Sequence, residues 1–230
     1  SGQGDQGKPE DKVKEALAAF VKRYSEGEKK KDENIRVGAF DLLIGMLSDQ
    51  RALDTVAKVL GVRSETDTVK YRAAQMLGES ANPKAIPVLV KAFNANERNV
   101  NLAPMIARAL GSVSDKSAVT ELDKIIRPRV ERFDNTDAVG IAQAGIQALG
   151  RLRFPESVDL LLSLLGPVEA KGPGKGKHSG GPSEEGVEEQ RAATEQALVD
   201  ALKAVTAQEL GAFEEWKKWW GENRETWKPE

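Results

Sequence analysis

Four apolar–glycine steps recur along this chain and limit its fold before any other property is weighed. Ile44-Gly45, Leu77-Gly78, Leu110-Gly111 and Leu149-Gly150 follow one another at separations of 33, 33 and 39 residues. A period of that length marks a supersecondary unit copied in tandem. Four residues after each glycine stand Asp49, Asn82, Asp115 and Phe154. The first three carry a side-chain oxygen that can accept from an orphan amide at a helix start. Phe154 cannot, but Pro155 follows it as Pro83 follows Asn82, at the first helical position, where a missing N–H is harmless.

Past these starts the register holds. Positions four, seven and eleven give Leu53, Val56 and Leu60, then Ile86, Leu89 and Phe93, then Val119, Leu122 and Ile126, then Val158, Leu161 and Leu165. This is one apolar helix stripe repeated in phase. Ahead of each glycine the apolar face is rich in alanine, as at Ala73-Ala74, Ala107 with Ala109, and Ala142 with Ala144, so neighbouring helices can approach closely. The unit, clearest from Tyr71 to Phe93, is two short amphipathic helices joined by a tight turn. One pair cannot bury its apolar faces alone, whereas stacked pairs share a continuous core. The pattern predicts an all-α solenoid of about five antiparallel helix pairs, roughly 50 Å long at about 10 Å per helix.

The segment VKYRAAQMLGESANPKAIPVLVKAF is similar to a HEAT repeat, in the short bacterial form also seen in phycobilisome-lyase-like repeats. The matching positions are Val69, Arg72 (displaced by two), Ala73, Ala74, Leu77, Gly78, Asn82, Pro83, Ala85, Ile86, Pro87 and Leu89. The resemblance covers residues 34–165 as four repeats, and more weakly 187–227 as a degenerate fifth. The other repeats lack a proline at the position of Pro87. Pro104 falls where the family has plain helix interior, so a kink or a late start is expected there. The resemblance implies a superhelical fold and leaves function open.

Around the repeats the chain divides as follows. Residues 1–9 are rich in Gly and Gln and read as a flexible leader. Pro9, Glu10 and Asp11 open an N-terminal capping helix over 10–26, with Val13, Leu17, Phe20, Val21 and Tyr24 at helical spacing. The charged run from Gly27 to Asn34 reads as a solvated connection, its Lys29-Lys30-Lys31 flanked by acids. Residues 166–186, dense in Gly, Pro and Lys, read as an inserted loop. In 187–227, Leu202 takes the place of the earlier leucines, with Lys203 where a glycine would be, and a Trp-rich cap follows.

Several function classes drop out on composition. The chain has no cysteine and one histidine, so disulfides, thiolate metal sites, a cysteine nucleophile and a His-rich metal site are excluded. With 34 Lys+Arg against 36 Asp+Glu the net charge is -2, which gives no global pull toward a polyanion. No run of 18 apolar residues exists to span a membrane. The chain begins Ser-Gly-Gln-Gly, which leaves room for a removed export signal and leaves the compartment unassigned.

The candidate chemistry is sparse. The Gly-Lys loop fails a Walker pattern, with Lys171 where the first glycine belongs and His178 where Ser/Thr belongs. His178 itself sits on a Gly-rich segment unsuited to holding a catalytic group. No metal, cofactor or catalytic constellation is nominated. What stands out is a basic ladder on the second helices: Lys58, Lys91 and Lys124, with Ser163 in the fourth copy, supported by Arg51 and Lys84. Phe213, Trp216 and Trp220 share one helix face and suit a cap over the end of the stack, while Trp219 beside them is a candidate partner anchor.

These residues point to a non-enzymatic scaffold that binds a protein or peptide, with an acidic segment lying along the concave face of the second helices. Nucleic-acid binding is the first alternative, and Asp54, Glu121 and Asp159 interrupt the stripe against it. A lyase-like or chaperone role toward a prosthetic group is a second, implied by the resemblance alone.

Overall fold

The acids that follow Pro9 sit at the positive end of a helix dipole, and the apolar spacing behind them carries helix α1 from Pro9 to Lys30. The computed structural model describes residues 9–170 and 183–229. Helix α2 (Glu33–Ala39) runs on into a 3₁₀ turn (Phe40–Leu43). There follow α3 (Gln50–Gly61), α4 (Asp67–Glu79), α5 (Ala85–Ala95), α6 (Leu102–Leu110) and α7 (Ser117–Ile126). The last four are α8 (Thr136–Leu149), α9 (Pro155–Ala170), α10 (Glu184–Thr206) and α11 (Phe213–Asn223). No strand occurs among the described residues, and no helix there is long and apolar enough to cross a membrane.

The helices form the expected solenoid. First helices α2, α4, α6, α8 and α10 pack in one row, and second helices α3, α5, α7, α9 and α11 in the other. Every member of the predicted stripe from Leu53 to Leu165 is buried. The first row closes through its glycines. A Cβ on Gly78 would lie 2.5 Å from the Ala109 carbonyl oxygen, one on Gly111 2.5 Å from Ala148 Cβ, and one on Gly150 3.1 Å from Ala201 Cα. At Lys203, beyond which the described residues place no further helix in the row, a long side chain fits and pairs with Glu209 at 2.9 Å.

The turns inside the pairs use the expected residues with one refinement. Asp49, Asn82 and Asp115 each accept from the amide two residues on, at 2.8, 3.1 and 2.9 Å, as tight side-chain turns. Asn82 also donates to the Leu47 carbonyl at 2.8 Å, which ties the second pair to the first.

Three expectations shift, and the late start expected at Pro104 is found. Ile44 does not take the place of Leu77; it is 62% exposed, because the 3₁₀ turn ends before it and Gly45 turns the chain at φ +75°. Leu43 and Leu47 fill the core there instead. Helix α1 runs beyond residue 26 through Lys30, because Gly27 lies directly under Arg36 and the segment packs; a Cβ at Gly27 would be 2.7 Å from Arg36 Cγ. Helix α6 starts late, at Leu102, so Pro104 sits in its first turn, where a missing N–H breaks no helical bond. Both flanks of the loop expected over 166–186 are helical. Helix α9 continues through Pro167 to Ala170, since Val168 is buried and Glu169 accepts from the Phe213 amide at 2.8 Å. Helix α10 begins at Glu184, with Ser183 accepting from the Gly186 amide at 3.1 Å. His178 and the Gly-Lys segment around it lie outside the described residues.

Both ends are closed. Helix α1 packs on α2 and the 3₁₀ turn through Phe20, Tyr24 and Phe40, whose rings stand 5.4 to 6.3 Å apart. Helix α11 lies on α9 with Trp216 and Trp220 buried.

Candidate partner-binding face

The turn residues Asp49, Asn82 and Asp115 share one register, so the lysines nine residues past each stand at equivalent places on α3, α5 and α7. All three are exposed, but their surroundings differ. Lys58 and Lys91 have no side-chain partner among the described residues. Lys124 pairs with Glu121 at 2.7 Å. Lys84 donates to the neutral Gln50 amide at 3.0 Å and keeps its charge unspent. Arg51 folds back on Asp49, its Nη2 at 2.8 Å, and this side chain with its own amide pulls the Asp49 carboxyl down to about 2.

Toward the C-terminal end the row turns neutral. Arg127 pairs with Asp123 at 2.8 Å and reaches Ser163 at 3.2 Å. Glu156 pairs with Lys116 at 2.7 Å, and that hydrogen bond holds its carboxyl below the usual range. Asp159 takes Arg224 and the Trp220 indole, both at 2.7 Å. The available positive charge therefore sits on α3 and α5.

Trp219 is half-buried. It stacks on Trp220 at 5.9 Å and meets Trp216 edge-on at 6.1 Å. Trp227 closes on Trp220 at 5.6 Å, so the aromatic group is foremost a cap, with part of Trp219 left at its surface.

A second feature lies at the C-terminal ends of α5 and α7 and the start of α8. A cleft of about 830 Å³ opens there, walled by Phe93, Val100 and Pro128 and rimmed by Arg98, Arg129 and Arg132. Arg129 is fixed: it donates to the Ile125 carbonyl at 2.7 Å, pairs with Glu97 and lies 5.4 Å over the Phe93 ring. Arg98 and Arg132 are exposed and have no side-chain partner among the described residues. None of the three belongs to the ladder. For Arg129 and Arg132 the signal in the sequence is the step of 39 where the two before it are 33, which places the extra residues beside RPRVER; Arg98 lies in a step of ordinary length and has no such signal.

Among the described residues no group of three or more His, Asp or Glu could hold a metal ion. A family model described as HEAT repeats matches residues 59–132, from the last turn of α3 into the connection before α8. No curated protein matches the chain.

Proposed function

We propose that this chain, whose helix pairs over residues 59–132 match a model of HEAT repeats, is a protein-interaction scaffold that receives an acidic segment of its partner along the second-helix row. HEAT repeats generally serve protein interaction. The observation that carries the finer reading is the pair Lys58 and Lys91, exposed and without a side-chain partner among the described residues, at equivalent places on adjacent second helices. Lys84 adds a third charge opposed by no carboxylate. Exposed lysines of this kind contribute little energy one at a time. Their effect is to steer an acidic chain and fix its direction across the repeats.

Affinity capture with the wild-type chain and with a Lys58→Glu/Lys91→Glu variant tests this. Partners should be acidic in the contacting segment and should be lost from the variant, while Lys203→Gln, on α10 of the first row and paired with Glu209, should change little. Partners that survive the double charge reversal would mean that the row is a solvated surface. Steep, salt-dependent retention on heparin at about 0.15 M salt would instead favour nucleic acid.

A further inference from the structure

The cleft at the ends of α5, α7 and α8 holds cationic groups that its own carboxylates leave uncompensated. Arg98, Lys124, Arg129 and Arg132 line it against Glu97, Glu121 and Asp137, one positive charge in excess on a chain whose net charge is -2. Glu97 is engaged by Arg129 and Glu121 by Lys124. Asp137 lies in the first turn of α8, where the helix dipole favours it. Arg98 and Arg132 thus line the opening with no acid among the described residues committed to either. A guanidinium fork matches a carboxylate with two parallel hydrogen bonds, which a lysine cannot do. The wall is apolar as well: Val100 is 48% exposed, and Pro128 is exposed beside it. At about 830 Å³ the space accepts more than one side chain.

We propose that this cleft is the anchor point for an acidic segment of a partner protein, with one carboxylate held between Arg98 and Arg132 and an adjacent apolar side chain resting on Val100 and Pro128. The proposal rests on the scaffold reading above and gives it a fixed end. The braced Arg129 and its Phe93 platform keep the mouth in shape, and the lysines on α3 and α5 then guide the rest of the segment. The cleft lies between the α5–α6 connection, which gives Arg98 and Val100, and the longer α7–α8 connection, which gives Pro128, Arg129 and Arg132, so it is not repeated along the stack as the stripe is.

The test is panning of a phage-displayed 12-residue peptide library against the full chain, with recovered peptides measured on Arg98→Glu/Arg132→Glu and on Lys58→Glu/Lys91→Glu. Both variants alter exposed side chains, and their helix content is checked by circular dichroism. Recovered peptides should be enriched in Asp or Glu next to an apolar residue. They should bind the arginine variant at least ~10-fold more weakly, with the loss reduced at high salt. Loss on the arginine variant with binding kept on the lysine variant supports the cleft and removes the ladder. The reverse result keeps the acidic-segment reading and overturns the cleft. Peptides without acidic enrichment, failure to recover any peptide, or equal binding to all three proteins would overturn both. Retention of poly(U) RNA through Arg98 and Arg132 in place of acidic peptides would overturn the choice of partner.

Discussion

Glu65 shows how much one side chain carries in a thin-cored stack. It precedes α4, yet it is 7% exposed and is shared by three elements. Oε1 lies 3.3 Å from Arg36 Nη2 of α2 and accepts from the Thr66 amide at 2.8 Å, and Oε2 accepts from the Tyr24 hydroxyl of α1. Burial, and then the hydrogen bond to Glu65, hold the Tyr24 phenol far above its ordinary range. Because that proton is held more tightly in the folded chain, the group's contribution is complete below the ordinary tyrosine value of about 10 and is lost as pH rises beyond it. A buried ion pair adds little over a well-packed apolar group, but removing one partner is costly. Glu65→Ala should therefore lose about 3–5 kcal/mol in urea unfolding, since Arg36, 10% exposed, keeps only the Gly27 carbonyl at 3.4 Å. Arg36→Met/Glu65→Leu should recover most of that loss. A change under about 1 kcal/mol in the single variant would show that water compensates the arginine.

Between neighbouring elements the glycines decide the spacing, and their surroundings differ enough to give opposite signs. A Cβ on Gly111 would meet Ala148 Cβ at 2.5 Å and the Ala148 backbone at 2.6 Å, atoms that cannot rotate away. Gly111→Ala should push α6 from α8 and cost about 1–3 kcal/mol. Gly140, inside α8, would place its Cβ in open space, so Gly140→Ala should stabilise by about 0.5–1 kcal/mol through helix propensity. Thermal melts of the two variants should move in opposite directions; two shifts of the same sign would refute the close first row. The spacing of Gly78, Gly111 and Gly150 could be read from the chain, as could the buried stripe, because both obey the helical period in every copy. Ile44 could not, since whether a helix tightens into a 3₁₀ turn depends on packing rather than on composition. Nor could the run of α9 through Gly166-Pro167: local breakers there are outvoted by the buried Val168 and by the bond from Phe213 to Glu169. For the ladder, the columns of lysines were visible, but Arg51 is spent on the very Asp49 that starts its helix. For the cleft, the extra length was visible, while the seat of Arg129 over Phe93 exists only once α5 and α7 are side by side.

Over the whole molecule, contacts run mainly between adjacent pairs, so stability is close to a sum of local terms and an end can release before the middle. The chain provides its own reporter, because all four tryptophans lie between residues 216 and 227. Indole emission therefore reads the C-terminal end, while far-ultraviolet circular dichroism reads every helix. That end is pinned by Asp159, which accepts from Trp220 Nε1 at 2.7 Å and from Arg224 Nε at 3.0 Å and Nη2 at 2.7 Å. The hydrogen bonds from Arg224 pull the Asp159 carboxyl below its usual range, against the opposing effect of its partial burial. A carboxyl depressed in the folded state supplies its stability above the ordinary aspartate value of about 4 and loses it as pH falls through the lower folded value. On acidification, emission should therefore change before helix content does. At neutral pH, Asp159→Asn keeps an acceptor for Trp220 but loses the charge that holds Arg224. Its urea midpoint by emission should fall while the circular dichroism transition of the remaining helices stays in place. Coincident shifts by both probes would show that the stack unfolds as one cooperative unit and that its Trp-rich end is no separate element.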